Sequence, residues 1–404
     1  MQKSTYLCPY CFTEHKRRDL WFRCRNKRCK LSPDKELAAY TGRAPELRQV
    51  CFPYYSGIWF SKREQARCPE CQELTSTIIC PKCHNTLPEI TKKGSNLIIS
   101  AVGAMDAGKS SYLAVLIREL KRHIALQLNG VAAFMDDMSA REYEERFLRY
   151  LYPNIGTDPS LRIPKTKSCF CGNTFISANR PILVNCKFFK KRKKREENVN
   201  HTVVFYDAAG EDFEEEEMMF TMSSNLIHSD AILFLLDPLK IPYVRNSLRR
   251  DVVNGAATSK LHSGSSADEI LLRMSKLIRA KKGLSEEEKI DIPIAVIIPK
   301  LDILEPLLPE YSVLLKESLH LKQGGFVLQE GFDVHEELVA LLCEWGEIEL
   351  LSHLQADFHT FQFFSVSAFG NNPDMYGRLQ CPKPVRVEDP FLWVLSENKV
   401  IDSI

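Results

Sequence analysis

Residues 97–111 read LIISAVGAMDAGKSS: an apolar run suited to a buried strand, a loop containing two glycines, and the first turn of a helix. Gly103, Gly108, Lys109 and Ser110 keep the G-x-x-x-x-G-K-[ST] spacing, with the strand before and helix after that a phosphate-binding loop requires. Glycine at the fixed positions lets successive N–H groups face an anion, and the new helix presents its positive end to the same point. In such a loop Lys109 reaches the β- and γ-phosphates of a nucleoside triphosphate, and Ser110 offers its hydroxyl to Mg2+. The apolar positions Leu113, Leu116, Ile117, Leu120, Ile124 and Leu128 continue at helical spacing.

Beyond this helix, a second helical stretch near 136–151 gives way to the Pro- and Gly-punctuated run 153–175. This loop offers Thr157, Thr166 and Thr174 as hydroxyls for sensing a nucleotide, with Thr166 preferred. PILVNCKFF and HTVVFYD then read as an antiparallel hairpin with a charged tip. Its basic run, Lys190 to Arg195, favours a solvated loop over a nucleic-acid contact. The second strand ends in Asp207-Ala208-Ala209-Gly210, followed by Glu211. A carboxylate there can hold magnesium's water shell, and Gly210 can offer its N–H to a γ-phosphate. A buried strand, IPIAVIIPKLD, delivers Lys300 and Asp302 to the same edge, and a last strand brings the Ser367-Ala368 turn beside them. Lys300 can lie over a purine face, Asp302 can accept two donors from guanine, and the turn can donate an N–H to the base's O6. Inserts are expected near 239–266 and 303–358, and DPFLWVLSEN closes the chain as an amphipathic helix.

On the other side of the opening stretch lie most of the cysteines. The 404 residues include fourteen, eight of them in close pairs within the first 83 positions: Cys8 and Cys11, Cys24 and Cys29, Cys68 and Cys71, Cys80 and Cys83. Paired thiolates at these spacings suit structural Zn2+, and with no secretory-type apolar start a disulfide framework is the weaker reading. The order of the pairs predicts one zinc ribbon over 1–40, from the first four cysteines, and a second over 41–90, from the last four. His15, His84 and Cys51 are alternative ligands, and 84–96 reads as a linker into an α/β domain over 96–404. The aromatic stretch 51–60 is read as packing between the two ribbons rather than as a docking surface. A 44% apolar composition supports a sizeable core, a net charge of +2 gives no general attraction to nucleic acid or membrane, and no apolar run reaches membrane-spanning length. A cytoplasmic protein is expected.

Taken in order, G-x-x-x-x-G-K-S, the threonine-bearing loop, D-x-x-G, K-x-D and S-A resemble the guanine-nucleotide motifs of P-loop GTPases in the translation-factor and Ras branch (TRAFAC). With CPYC and FRC in front, GAMDAGKSSYL, YDAAGEDF and the ending DPFLWVL, the chain is most similar to the bacterial double-GTPase type 2 family. The resemblance implies an α/β fold with a mainly parallel sheet and one antiparallel edge hairpin, preceded by two small zinc ribbons. It implies a GTP-binding and hydrolysing switch acting on partner proteins, through ribbons and switch loops, in a conflict or defence complex. By motif, Gly103, Ala104, Met105, Asp106, Ala107, Gly108, Lys109, Ser110 and Ser111 surround the phosphates, and Lys300, Asp302, Ser367 and Ala368 surround guanine. Ser110, Asp207 and Thr166 serve magnesium, and Lys109, Asp207, Gly210, Glu211 and Thr166 serve hydrolysis. The chain departs from the family pattern at three places. Pro299 stands where the base motif carries Asn or Thr, Glu211 where Ras-like proteins carry a water-orienting glutamine, and Met105 where a glycine is common. A nucleotide-binding scaffold with little turnover, and an ATPase, are the rival readings.

Overall fold

The computed structural model describes residues 5–16, 19–53, 65–87, 95–152, 163–166, 170–171, 174–175, 180–192, 195–213, 223–248, 265–371 and 382–404. Its centre is a seven-stranded sheet. The strands are β1 (Ser95–Gly103), β2 (Gly130–Phe134), β3 (Ile182–Arg192), β4 (Arg195–Asp207), β5 (Ala231–Leu235), β6 (Ile294–Ile298) and β7 (Phe361–Ser365). They lie in the order β2-β3-β4-β1-β5-β6-β7. Strands β4, β1, β5, β6 and β7 pair in parallel, whereas β3 runs antiparallel to both β4 and β2. The β3–β4 hairpin is therefore not the edge of the sheet. The short strand β2 pairs outside it, and this strand is missing from the sequence reading because GVAAF has no polar side chain, so its alternating burial leaves no polar–apolar period in the sequence.

Alternation along the strands sorts the core into three clusters. Leu97, Ile99, Ala101, Val203, Phe205, Leu233 and Ile297 face α1 (Lys109–Glu119) and the closing helix Asp389–Glu397. On the opposite face, Val102, Ile232, Phe234, Val296 and Phe363 face the helices Ala267–Lys282, Leu328–Glu344 and Ile348–Asp357. The last two turn the region 303–358, expected as an insert, into part of the core, and they are separated at Gly346, whose φ of +89° ends the first of the pair. Among the described residues, the remainder of that face is covered by the cysteine-rich segment. Ile98, Leu183, Val204 and Tyr206 pack there against Tyr6, Cys8, Tyr10, Phe22 and Ile78 of the cysteine-rich segment. Hydrogen bonds from Asn96 Nδ2 to the Leu7 carbonyl (2.9 Å) and from the Tyr206 hydroxyl to the Pro9 carbonyl fix the contact.

The cysteine-rich segment departs from the expected partition into successive ribbons. Strand Trp21–Arg23 pairs on one side with Cys51–Pro53 and on the other with Ile78–Ile79, so the early and late thirds of the segment share one small sheet. Phe52 is buried against Phe22, while residues 54–60 of the aromatic stretch lie outside the described residues. The same is true of 88–94 in the expected linker, of 249–264 in the expected insert and of the side chains in the basic run Lys190 to Arg195.

Candidate functional site

At the carboxyl end of β1 the order of strands reverses, the place where open α/β sheets form a crevice. Gly103 closes β1 with φ +148°, and a Cβ there would lie 2.5 Å from the Leu235 carbonyl oxygen on β5. Asp106 (φ +63°) and Gly108 (φ +88°) carry the loop round into α1. Lys109 is buried, and its ammonium donates to the carbonyls of Gly103 (2.6 Å) and Ala104 (2.8 Å), folding back across the loop. Asp207 arrives from the end of β4 and is 4% exposed. The hydroxyl of Ser110, the second residue of α1, lies 3.0 and 3.2 Å from its two carboxylate oxygens. Thr166 Oγ1 is 2.9 Å from Asp207 Oδ2 and 2.9 Å from Ser110 Oγ. Three oxygen-bearing side chains from separate segments thus converge beside Lys109. This is a hard-donor set of the kind magnesium takes. Gly210 passes so close beneath the loop that a Cβ would stand 2.5 Å from Met105 Cα and 2.6 Å from its nitrogen. Thr157 and the side chains of Thr174 and Glu211 lie outside the described residues.

A second cluster sits at the ends of β6 and β7. Lys300, at φ +65°, extends to Asp237 (2.7 Å) at the end of β5, and Asp237 also accepts from the Leu239 N–H (3.1 Å). Asp302 accepts the Ser367 hydroxyl, which in turn accepts from the Gly370 N–H (2.8 Å). The Ser367 N–H is given to the Val385 carbonyl (3.0 Å), so that donor is already engaged within the protein. Pro299, buried at the end of β6, has its Cβ 4.0 Å from where a Cβ on Gly108 would stand. An apolar side chain thereby stands between the two loops at this point.

Two cysteine quartets form the third feature, and here the sequence pairing is corrected. Cys8 and Cys11 gather with Cys80 and Cys83, and Cys24 and Cys29 with Cys68 and Cys71. All eight expected ligands fall within the two quartets, but the pairs cross, because the central small sheet brings the two ends of the segment together. Sulfur separations are 3.8 Å for Cys8–Cys83, 3.6 Å for Cys11–Cys80, 3.5 Å for Cys24–Cys71 and 3.7 Å for Cys29–Cys68. A tetrahedron with Zn–S bonds of about 2.3 Å has an edge of about 3.8 Å, so both quartets are of a size to hold zinc. In one quartet Cys11 is held far below an ordinary thiol, chiefly by its hydrogen bond with Cys8. In the other, the Glu73 backbone N–H lowers Cys71 to about 7. The alternative ligands do other work. His15 Nε2 lies 3.3 Å from Cys80 Sγ, and His84 Nδ1 bonds Asp34 (2.8 Å). Cys51 receives the Arg23 Nε–H (3.4 Å), while the same guanidinium pairs with Asp34 (2.5 Å).

Sequence reasoning missed Arg146, Lys165 and Asp237. Arg146 Nη2 lies 2.6 Å from Asp207 Oδ2, and Lys165 Nζ lies 3.6 Å from Asp106 Oδ2. Arg146 carries no spacing signal. Lys165 is adjacent to Thr166, and Asp237 ends an apolar strand as Asp207 does, which are the signals that could have found them.

No protein-family model matches the chain. Over 414 aligned residues it is 25% identical to the Mycolicibacterium smegmatis protein named "Putative ESX-1 scaffolding and assembly protein SaeC", across 96% of this chain and 98% of that one. Among solved structures it is similar to sup35 complexed with GDP, with a TM-score of 0.25 and 12% identity. That likeness takes in 69% of this chain, which spans 38% of the length of the sup35 chain.

Proposed function

We propose that the chain has a P-loop GTPase fold and is a magnesium-dependent guanine-nucleotide switch governing the assembly of partner proteins. The observation that carries this reading is the convergence of Ser110, Thr166 and Asp207 within hydrogen-bond distance of one another at the mouth of the 103–111 loop. Bound magnesium would offset the charge of the triphosphate, with Ser110 and Thr166 as direct ligands and Asp207 holding its water shell. Lys109, released from the two loop carbonyls, would lie along the β- and γ-phosphates. Gly210 would bring its N–H to the γ-phosphate, so the 207–210 turn and the Thr166 loop would report whether that phosphate is present. Asp302, already accepting one hydroxyl from Ser367, would accept the paired donors of guanine. Glu211 in place of a water-orienting glutamine favours slow or partner-assisted hydrolysis. The two cysteine quartets would hold structural zinc, and the unit they build would meet protein partners.

A second reading is favoured by a specific finding. The near full-length relative is named for scaffolding and assembly. In this reading the nucleotide is a structural component of a scaffold and turns over little. Single-turnover hydrolysis of GTP on the purified protein with magnesium separates the two. Measurable GDP formation that is lost in Lys109→Ala supports the switch. Tight GTP binding without GDP formation supports the scaffold.

A further inference from the structure

Asp207 is a buried carboxylate at the centre of the candidate metal site, and its ion-pair partner is Arg146 at 2.6 Å, on the same oxygen that accepts from Thr166. A buried charge without a partner is costly, so a cation must stand against Asp207 whether or not a metal is bound. Magnesium held by Ser110 and Thr166 would bring a second, doubly charged cation beside that carboxylate and aim a bound water at it. The guanidinium and the ion would repel each other, and the guanidinium and the bound water would compete for the same oxygen, so one displaces the other.

The backbone that carries Arg146 is not free to withdraw. It follows the helix Asp137–Tyr143 in a wide π-type turn, Glu144–Leu148, of a sort often found at functional sites. The turn is held down by Phe147, which is 1% exposed, and by the Tyr143 hydroxyl, which donates to the Ala114 carbonyl on α1 (2.7 Å). A displaced guanidinium therefore pivots on a fixed stem beside the 103–111 loop. Its other nitrogen, Nη1, already stands 3.5 Å from Glu142, which would keep one contact as the guanidinium turns. A triphosphate held by Lys109 would offer several anionic oxygens to such a guanidinium, whose planar fork matches a phosphate better than a point charge does.

We propose that Arg146 is a nucleotide-binding residue that exchanges with magnesium: it neutralises Asp207 in the metal-free protein and moves onto the γ-phosphate when the metal arrives. The inference rests on the nucleotide reading above. It predicts two separable effects of one side chain. Removing Arg146 eases magnesium entry, and it also weakens the protein's preference for a triphosphate over a diphosphate.

The experiment titrates magnesium into full-length protein with a fluorescent GDP or a non-hydrolysable GTP analogue, for wild type, Arg146→Gln and Arg146→Lys. Gln keeps the stem and a donor for Asp207, and Lys keeps the charge without the fork; intact near-UV spectra confirm that each variant is folded. In Arg146→Gln the half-saturating magnesium concentration should fall at least about fivefold, and the triphosphate-to-diphosphate affinity ratio at saturating magnesium should fall about tenfold. Arg146→Lys should keep a midpoint near that of wild type and recover the ratio only in part. An unchanged midpoint overturns the exchange, and an unchanged ratio overturns the transfer to phosphate. Failure of wild type to bind either nucleotide refutes the underlying nucleotide reading instead, and is visible in the same titration.

Discussion

If the cysteine pairs cross as the small sheet dictates, double substitutions distinguish this arrangement from two successive ribbons. Changing Cys8→Ser with Cys80→Ser removes two ligands from one quartet and none from the other, so one zinc per chain should remain. Changing Cys8→Ser with Cys24→Ser removes one ligand from each, so both sites are weakened and zinc content should approach zero after mild chelation. Successive ribbons predict the reverse. The energetic scale follows from structural zinc, whose binding free energy of about 10–16 kcal/mol is also the folding free energy of such a unit. The loss would not stay local, because Ile98, Leu183 and Val204 of the main sheet are covered by this unit. Exposing them forfeits about 1.5–3 kcal/mol per side chain, enough to lower the melting temperature of the whole protein and to raise binding of a hydrophobic dye. Metal content by mass spectrometry, read beside a thermal melt, makes the test. One retained zinc in the Cys8/Cys24 pair and none in the Cys8/Cys80 pair would refute the crossed arrangement.

Two further outcomes follow from the geometry of the loops. Gly210→Ala drives a methyl group into the Met105 backbone at 2.5 Å, where no side chain can rotate away, so stability should fall by about 1–3 kcal/mol and nucleotide affinity with it; a variant with wild-type melting and binding would show that the two loops are not in contact. Asp302→Asn should shift preference from GTP toward xanthosine triphosphate, because the new amide can donate to an O2 where the carboxylate accepted from an amino group; the lost charged pairing is worth about 2–5 kcal/mol, and an unaltered preference in a competition assay would count against the guanine site.

Much of the sheet was legible because its central strands are short, uniformly apolar runs that suit a strand buried on both faces, as in Ala231–Leu235 and Ile294–Ile298, where every residue is buried. The loop motifs were legible for a different reason: their spacing is set by the backbone turn that Gly103 and Gly108 permit. The cysteine pairing was not, since four knuckles in one segment can close in more than one way and the choice rests on long-range pairing of Trp21–Arg23 with Ile78–Ile79. Nor did local pattern foretell that this segment would cover the sheet in place of a helix. The polar tie to Asp207 from Arg146 is equally a product of tertiary placement, because a lone arginine on a polar helix face looks like any solvated residue. Lys300 likewise has a partner that local pattern did not show, Asp237, which its ammonium meets at 2.7 Å.

The claim on which the account stands is that residues 103–111, Thr166 and Asp207 form one magnesium-dependent guanine-nucleotide site. Calorimetric titration of GTP and of ATP into the purified protein, with and without magnesium, tests it in the wild type and in Lys109→Ala. The account predicts tight GTP binding that requires magnesium, at least about tenfold weaker ATP binding, and loss of both in Lys109→Ala, where the buried ammonium that would meet the phosphates is gone. Equal affinity for ATP, or GTP binding that survives the loss of Lys109, would contradict it.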